Sequence, residues 1–536
     1  MSKKEQIILP EKYYLDYFLY LLDFIKKHYD HLLDIPEHLF LADFAVLSED
    51  AKCLYIRLIN RKGPFFRFEK IEYPEIRNKK STLQELQEAQ FLSVNENDTP
   101  EQLKLFTRKE LLHSFSFLNA NQRKNEMLDE LTELDVQQIH QKELIVEVKK
   151  NEIVEFLKLL FFGNRYQQMT EFVIRDIGNI KLQRLNEDKF TPWFQTREDA
   201  LGIMHLSQLK PVIRELIKAE LPVEEFLHEI PWNEWIKYPR TKISVEKLLL
   251  EVGAYLEKTS KLEEALTYYG YVAIHPSGER RVRIYERMGR QEEALKIAQD
   301  LIERPANATE LTFALDYLNR SGIRIDRSMT KRLKKAEIID LPRPSQSVES
   351  AVLAYFEEQG WQGIHCENFL WRALFGLTFW QELFNEDFGS FHHPLQRRPS
   401  DLHTPDFFST RKQLLEERLN KLKSKKSYLT HLTNVYQEYE GNANHFVYWH
   451  EDLLPLLEKL LHYLPLKGIK KVLLEIARQT KENSTGFPDL FVWKEKEYHF
   501  YEVKSPNDHL SAQQLFWLNF LSKSDIKVEV LKINYT

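Results

Sequence analysis

The chain has 536 residues, of which 29% are charged and 43% hydrophobic, and it carries a formal net charge of −6. This balance excludes a uniformly basic DNA-coating protein, but it allows a basic groove on an acidic body. Two cysteines exclude a disulfide scaffold and a zinc site built from cysteines alone. The low glycine content, 16 residues, argues against Gly-rich repeats and many-turned all-β folds.

The cellular location follows from the same features. No apolar run reaches the roughly 18 residues of a membrane helix, and the few cysteines suit a reducing compartment. We therefore expect no membrane association. We expect a cytoplasmic protein, or a nuclear one if the source is eukaryotic.

The first segment, residues 1–75, mixes helix and strand signals and predicts an N-terminal mixed α/β domain. Alternating apolar residues and a turn at Arg61–Pro64 predict a β-hairpin over 53–73. Arg61 and Lys62 bring positive charge among aromatic residues, which could hold a DNA backbone. A solvated hairpin is the simpler interpretation of the same charges.

The next segment, residues 76–149, is predicted to be a DNA-binding region. Residues 104–133 predict two short helices joined by a polar turn at Asn119–Gln122, which resembles the SAP module, a helix–extended–helix DNA binder. Arg123 and Lys124, at the start of the second helix, are candidate DNA contacts. The same pattern fits many helical hairpins.

Residues 150–345 are almost wholly helical in pattern. Lys261–Leu266 and Arg290–Leu295 echo each other at an offset of 29 residues, which predicts a tetratricopeptide-like helical domain with irregular units. Such repeats can bind protein partners, while a plain helical bundle explains the pattern almost as well. The proline-rich stretch Leu341–Ser345 predicts a linker before the last segment.

The strongest chemical signal lies in a predicted β-hairpin formed by Leu490–Trp493 and Tyr498–Val503. Glu502 and Lys504 are two residues apart, so both side chains leave the same face of their strand. Asp489 begins the partner strand, and strand pairing can bring it beside Glu502. This is the PD-(D/E)xK arrangement of metal-dependent nucleases, in which carboxylates hold Mg²⁺ and a lysine orients water or offsets negative charge.

A bare PD followed by ExK occurs often by chance, and an exposed hairpin with alternating charges also explains it. Here the surroundings favour a site. Gly486 and Pro488 flank the aspartate, and residues 505–508 end the second strand and can cap a helix. Gln514 and Trp517 then follow on that helix.

These segments resemble the virus-type replication-repair nuclease (VRR-NUC) domain, and in particular the Fanconi-associated nuclease family. The resemblance rests on Gly486–Leu490, Glu502–Asp508 and Leu510–Trp517. Ser505 stands where the family usually has Gly, and His509 stands where it usually has Arg; neither change removes a metal ligand. Weaker matches upstream extend the resemblance over most of the chain.

The resemblance implies a multidomain, mostly α protein. Helical N-terminal and tetratricopeptide-like domains are followed by an α/β nuclease domain of the restriction-endonuclease-like PD-(D/E)xK fold over 346–536. His365–Glu367 and the apolar segment after them resemble the family helix that delivers another acidic ligand. From the residues alone, Glu367 and Trp371 would share a helix face; an ordinary helix N-terminal Glu is the alternative.

The resemblance also implies the roles of the site residues. The predicted ligands of one or two Mg²⁺ or Mn²⁺ ions are Glu367, Asp489, Glu502 and the backbone carbonyl of Val503. The predicted catalytic residues are Asp489, Glu502 and Lys504, of which Lys504 positions water or phosphate. Gln514 contacts the substrate or braces the site, and the remaining candidate DNA contacts are Asp508, Arg61, Lys62, Arg123, Lys124 and Lys423.

Lys423 belongs to a basic run over 411–426, with seven basic and two acidic residues, which is either a solvated helix face or a track for DNA phosphates. The family cleaves DNA near 5′ flaps, acts as a 5′→3′ exonuclease and repairs interstrand crosslinks, so the expected partner is flap or branched DNA. One alternative is a Holliday-junction resolvase or restriction-like endonuclease. Another is a catalytically inactive helical-repeat DNA-binding adaptor, against which the intact Asp489, Glu502 and Lys504 argue.

Overall fold

The structure is a computed structural model. It describes residues 9–178, 180–323, 336–343, 347–404, 406–506 and 508–536, apart from the side chains of 224 and 225. Pro344 and Ser345 of the predicted linker, the predicted boundary at 345–346 and Asn507 of the site motif lie outside the described residues.

The chain divides into two compact units. The first comprises Met1–Asn179 and Pro192–Ser207, and the second comprises Ile180–Thr191 and Gln208–Thr536. The finer division into four domains stays a prediction. In the described part of the chain, no helix is long and apolar enough to cross a membrane.

The first unit combines short helices with a small sheet. Its elements are α1 (Tyr13–Tyr29), α2 (Ile35–Val46), α3 (Glu49–Ile59), β1 (Phe65–Arg67), α4 (Lys79–Glu88), β2 (Leu92–Val94), α5 (Arg108–Ser114), α6 (Lys124–Glu130), α7 (Glu133–His140), β3 (Ile145–Val148), α8 (Asn151–Phe162) and α9 (Thr170–Asp176). The three strands pair in the order β1-β3-β2, and both pairs are antiparallel.

The hairpin predicted over 53–73 is wrong in its first half, because residues 53–59 belong to helix α3. The Ser48 hydroxyl accepts a hydrogen bond from the Ala51 N–H and caps this helix. Cys53, Leu54, Tyr55, Ile56 and Leu58 are buried, and Arg57 is the only charged residue between 53 and 59, so this stretch by itself shows no helical period. Strand β1 pairs with β3 instead.

The two short helices predicted over 104–133 are confirmed as α5 and α6, joined by a polar turn. Their apolar residues, among them Leu111, Phe115 and Met127, pack into one buried cluster with β3. Helix packing therefore explains the leucines and phenylalanines of this segment. Its assignment as a SAP-like DNA-binding region stays a prediction.

A helical array follows, and the division between the two units falls within its first helix. The helices are α10 (Arg197–Lys218), α11 (Glu224–His228), α12 (Trp232–Trp235), α13 (Pro239–Lys258), α14 (Leu262–Gly270), α15 (Ser277–Arg287), α16 (Gln291–Glu303) and α17 (Ala308–Arg320). The predicted sequence repeat is also a structural repeat. Helices α14 and α16 begin after Lys261 and Arg290, whose φ/ψ angles are −88°/68° and −89°/68°.

The last part of the second unit is an α/β domain. Its elements are β4 (Glu337–Leu341), α18 (Val348–Glu358), β5 (Gln362–His365), α19 (Phe369–Thr378), α20 (Trp380–Leu383), α21 (Asp406–Lys421), α22 (Lys425–Tyr439), α23 (Leu453–Tyr463), α24 (Leu466–Arg478), β6 (Leu490–Lys494), β7 (Glu497–Lys504), α25 (Ala512–Lys523) and β8 (Val528–Tyr535). The predicted hairpin is confirmed as β6 and β7.

These strands form one five-stranded mixed sheet in the order β4-β8-β7-β6-β5. Strand β8 is parallel to both β4 and β7, whereas β6 is antiparallel to β7 and β5. Strand β4 lies before residue 346, so the sheet extends upstream of the predicted domain boundary. This confirms the expected mostly helical protein with a C-terminal α/β domain.

The sheet has a core on each face, which holds the hairpin rigidly. Leu490, Val492, Tyr501 and Val503 pack with α18 on one face. On the other face, the ring of Phe487 lies between Trp371 of α19 and Trp517 of α25, at centroid distances of 5.5 and 4.1 Å. The loop that leads into β6 is therefore clamped between two helices.

Candidate active site

Strand pairing brings the two predicted carboxylates together. In the β6–β7 register Leu490 lies opposite Tyr501. The next opposed positions, at the start of β6 and near the end of β7, are therefore Asp489 and Glu502. The Asp489 side chain turns toward the second strand, where its Oδ2 accepts a hydrogen bond of 2.8 Å from the Val503 N–H. Extended by one residue, this is the register that the sequence predicts for the two carboxylates.

The approach to Asp489 depends on a glycine. Gly486 has φ = +81°, and a Cβ there would lie 2.7 Å from Gln513 Cγ and 3.0 Å from the Gln513 carbonyl carbon. Only glycine accepts both the left-handed backbone and this close contact with the start of α25. The Phe487 N–H donates to Asn368 Oδ1 at 3.1 Å, which ties the same loop to the start of α19.

Glu367 reaches the site from a turn and not from a helix. Helix α19 begins at Phe369, so Glu367 does not share a helix face with Trp371, and that expectation is wrong. Its φ is +35°, an uncommon conformation for a residue with a side chain. The turn is held because the N–H groups of Cys366 and Glu367 both donate to the Asp489 carbonyl oxygen, at 2.8 and 3.1 Å.

Three side chains converge at this edge of the sheet. Potential ligand atoms of His365, Glu367 and Asp489 all lie within 4.8 Å of one another. Both His365 and Glu367 are exposed, whereas Asp489 is half-buried. His365 was not predicted, although its position two residues before Glu367, at the end of β5, carried the signal.

Glu502 and Lys504 lie deeper, on β7, with exposed fractions of 1% and 8%. Lys504 Nζ donates to Glu502 Oε1 at 2.9 Å and to Gln514 Oε1 at 3.2 Å. Gln514 Nε2 donates to the same Glu502 oxygen at 2.6 Å. The second oxygen, Glu502 Oε2, is buried and has no hydrogen-bond partner among the described residues.

Burial, together with the negative charges of Asp489 and Glu367, raises the pKa of Glu502 to about 8 against the opposing charge of Lys504. Burial also raises the pKa of Asp489, against the Val503 N–H and Lys504. Crowded carboxylates of this kind are stabilised in their charged form by a cation. The buried Glu502 Oε2, which has no described hydrogen-bond partner, is a second indication that a cation binds here.

The donor set therefore fits a divalent cation. Carboxylate oxygens are the ligands that Mg²⁺ and Mn²⁺ prefer, and an imidazole is compatible with Mn²⁺. Glu367 and Asp489 can hold such an ion with His365 as a further neutral ligand, whereas Glu502 lies outside this three-residue group and its ligation stays a prediction. The role of the Val503 carbonyl stays a prediction.

Comparison with known protein families agrees with this chemistry. Residues 423–534 match the model of the VRR-NUC domain, and residues 12–93 match the model described as FAN1, HTH domain. The chain is 31% identical to the Fanconi-associated nuclease 1 homolog of Pseudomonas aeruginosa, over 98% of this chain and 97% of that relative. The chain belongs to the Fanconi-associated nuclease family. It is a DNA nuclease.

Eukaryotic members of the Fanconi-associated nuclease family are longer. The homolog of Arabidopsis thaliana is 27% identical over 96% of this chain and 66% of its own length, and the human protein is 24% identical over 97% and 62%. Among solved structures, the chain resembles paFAN1 bound to 2nt 5′-flap DNA with gap, with a TM-score of 0.85, 28% identity and 99% of each chain covered.

Three of the predicted DNA contacts of this Fanconi-associated nuclease lie in the second unit, and their surroundings differ from one another. Gln514 braces Glu502 and Lys504. Asp508 Oδ2 accepts from the Ser505 N–H at 2.9 Å and so closes the turn after β7. Lys423 is exposed in the connection between α21 and α22.

The other candidates lie in the first unit. Arg61 and Lys62 are exposed after α3, and the Arg61 guanidinium lies 5.2 Å from the ring centre of Phe66. Arg123 is the residue before α6, and Lys124 Nζ donates to a backbone carbonyl, that of Lys104, at 2.8 Å. Their contacts with DNA, like that of Lys423, stay predictions.

The basic run over 411–426 is not one continuous surface. The Arg411 side chain is fully buried and its Nη1 bonds Asp401 at 2.6 Å. Arg418 pairs with the buried Glu382 at 2.8 Å. These two arginines stabilise the packing of α21, and the basic residues of the run that are exposed are Lys412, Lys421, Lys423, Lys425 and Lys426.

Proposed function

We propose that this Fanconi-associated nuclease is a structure-specific enzyme that cuts DNA near 5′ flaps, degrades DNA in the 5′→3′ direction and acts in the repair of interstrand crosslinks. One observation carries the proposal. The chain resembles paFAN1 bound to 5′-flap DNA over nearly its whole length, and it retains the complete set Asp489, Glu502 and Lys504. A fold shared only in the nuclease domain would support nuclease activity alone.

The chemistry follows from the site. When bound, a divalent cation polarises the scissile phosphate and acidifies a water molecule. Asp489 is oriented by the Val503 N–H, and Glu367 by the turn that its own amide closes, so both carboxylates are positioned in advance. An ammonium group has three N–H donors, and Lys504 uses two of them on Glu502 and Gln514. The third can donate to the attacking water or to a phosphate oxygen.

The choice of metal is part of the proposal. Mg²⁺ takes oxygen ligands almost exclusively, whereas Mn²⁺ accepts imidazole as well. Because His365 lies with Glu367 and Asp489, we expect Mn²⁺ to bind more tightly than Mg²⁺, with either ion supporting cleavage. An intracellular location, in the cytoplasm or in the nucleus of a eukaryotic source, suits the two free, buried cysteines.

Cleavage of an end-labelled 5′-flap duplex in Mg²⁺ or Mn²⁺ tests the proposal. We expect Asp489→Ala and Lys504→Ala to abolish cutting while leaving DNA binding largely intact. Lys496→Ala, exposed in the turn of the same hairpin, is the matched control and should cut like the wild type. Wild-type cutting rates in both site variants would refute the site assignment. Much faster cutting of four-way junctions than of flaps would instead favour a resolvase.

A further inference from the structure

A cluster of two arginines and two histidines lies in the nuclease domain and contains none of the metal ligands. It consists of Arg372 on α19, Arg398 and His403 in the connection before α21, and His445 in the connection after α22. We call these four residues the arginine–histidine cluster. The mechanism described above uses none of them.

Hydrogen bonds hold Arg398 in place through His403. Arg398 Nη1 donates to His403 Nε2 at 2.6 Å, while His403 Nδ1 lies 3.1 Å from Thr480 Oγ1. The Thr480 hydroxyl donates to the Leu402 carbonyl, so it must accept from His403. His403 is therefore neutral, with its proton on Nδ1, and it aims the guanidinium of Arg398.

Arg372 is held by the backbone of His445. Its Nη2 donates to the His445 carbonyl oxygen at 2.8 Å, and its Nε is buried without a hydrogen-bond partner among the described residues. The ring of His445 packs edge-on against that of His403, at a centroid distance of 5.0 Å. The edge-on contact between the two imidazoles thus connects the segments that hold Arg372 and Arg398.

No described carboxylate serves as a counter-ion to the cluster. Within the described ranges, neither Arg372 nor Arg398 has a carboxylate oxygen within 4.0 Å, whereas Arg411 and Arg418 of the same domain are both paired. Burial and the two arginines lower the pKa of His403 and of His445 to about 4, and burial lowers the pKa of Arg372. Two guanidinium groups kept together without an acid are best satisfied by an external anion.

Chain connections place this cluster on the elements that build the metal centre. Arg372 lies in the second turn of α19, directly after the turn that carries Glu367. Thr480 and Lys481 follow α24 and precede the loop that leads to Asp489. An anion bound here would thus contact the same two segments of the chain that carry Glu367 and Asp489.

We propose that the arginine–histidine cluster binds a phosphodiester group of the DNA, at a position other than the one that is cut. A guanidinium presents parallel N–H groups that match two phosphate oxygens, and a phosphodiester keeps its negative charge at every pH at which the fold is stable. The cluster would then fix the register of the DNA strand relative to the metal centre. This inference rests on the proposed function, because it takes DNA as the ligand.

The salt dependence of DNA binding tests it. Binding of a flap duplex is measured between about 50 and 200 mM salt in the Asp489→Ala background, which removes cutting. We expect Arg372→Gln and Arg398→Gln each to lower the slope of log K against log salt by about 1. Arg478→Gln, an exposed arginine of α24 that is paired with Glu475, is the control and should keep the full slope.

A chemical scan of the DNA gives a second, independent readout. Single phosphates near the flap are replaced by neutral methylphosphonates. At one position we expect the replacement to weaken DNA binding by the protein that has Arg398 but not by the Arg398→Gln variant. Both changes remove the same contact, so the second has no further effect. Arg398 is exposed, so this variant should keep its melting temperature even if Arg372→Gln does not.

An unchanged salt slope in Arg398→Gln, or a methylphosphonate penalty that is equal in both proteins at every position, would overturn the inference. Flap cutting by the wild type would still stand in that case. The failure of the cluster is therefore distinguishable from a failure of the proposed function, which the cleavage assay alone decides.

Discussion

Gln514 Nε2 donates a hydrogen bond of 2.6 Å to Glu502 Oε1, and Gln514 Oε1 accepts bonds from Lys504 Nζ and from the Ser511 N–H. One amide therefore connects the buried carboxylate, the lysine and the start of helix α25. The sequence left open whether Gln514 contacts DNA or braces the site. Its contacts are those of a positioning residue, because both ends of its amide are already engaged within the domain.

We expect Gln514→Ala to lower kcat by about 10- to 100-fold, the usual cost of losing a group that orients a metal ligand. The KM for flap DNA should change little, because Gln514 acts through Glu502 and Lys504 and not through the substrate. Steady-state cleavage kinetics measure both values. Asn519→Ala on the same helix is the control and should match the wild type. A raised KM with unchanged kcat would instead make Gln514 a DNA contact.

Gly486→Ala should damage the site without touching a ligand. Position 486 has φ = +81°, and the alanine Cβ would lie 2.7 Å from Gln513 Cγ, so either the backbone or the start of α25 must move. We expect a loss of about 1–3 kcal/mol in the free energy of unfolding and a strong loss of cleavage. Denaturant unfolding and the flap assay measure the two effects.

Gly441→Ala separates backbone strain from steric contact. Gly441 has φ = +80°, but nothing lies within 4 Å of the position of its Cβ. It should cost about 1 kcal/mol and leave cleavage unchanged. Equal losses of cleavage in both variants would show that strain alone, and not the position of the Asp489 loop, limits the enzyme.

The hairpin that carries the site could be predicted from the sequence because its information is local. Two short apolar runs fix the strands, the short polar turn fixes their pairing, and this register puts Asp489 opposite Glu502. The helix after it could be predicted for the same reason, since Ser511 and Gln514 form a capping box three residues apart.

The remaining features depend on contacts between distant segments. Glu367 was expected on a helix, but the Asp489 carbonyl, more than a hundred residues later, holds it in a turn. The false hairpin over 53–73 has another cause. Residues 53–59 contain a single charged residue, Arg57, while Glu49, Asp50 and Lys52, which complete the polar face of α3, lie before that stretch. The charge count over 411–426 likewise does not show that Arg411 is buried and paired with Asp401.

His365 predicts a measurable metal preference. Because an imidazole ligand favours Mn²⁺ over Mg²⁺, His365→Ala should weaken Mn²⁺ binding by about 10-fold or more and Mg²⁺ binding much less. Calorimetry gives both affinities, and electron spin-echo spectroscopy of bound Mn²⁺ should lose its ¹⁴N coupling in the variant. His450→Ala, a histidine outside the three-residue group, is the control. A nitrogen coupling that survives in His365→Ala would rule out ligation by His365.

The end of the basic run offers a test of its proposed DNA track. Lys421, Lys423 and Lys426 are exposed, whereas Lys425 Nζ already donates to the His462 carbonyl oxygen at 2.5 Å. Replacing the three exposed lysines together by Gln should lower the salt slope of DNA binding by about 2–3 if each meets a phosphate. Lys425→Gln alone should leave it unchanged. An unaltered slope in the triple variant would make this run a solvated surface.

His403 should make the fold sensitive to acid. Burial lowers its pKa to about 4, with Arg398, His445, Lys481 and Arg372 adding positive charge. The unfolded chain takes up this proton near pH 6.5 and the folded chain does not, so stability falls as the pH drops from about 6.5 toward 4. After allowance for solvent screening, we expect His403 to account for about 1 kcal/mol between pH 7 and pH 5.

Denaturant unfolding of the wild type and of His403→Gln over this pH range measures the effect. Glutamine takes up no proton, so the variant should lose less stability on acidification even if it is less stable at pH 7. His509→Gln, an exposed histidine beyond β7, should follow the wild-type profile. Parallel profiles for the wild type and His403→Gln would mean that His403 takes up its proton in the folded state as readily as in the unfolded chain. Its hydrogen bond from Arg398 would then not persist in solution.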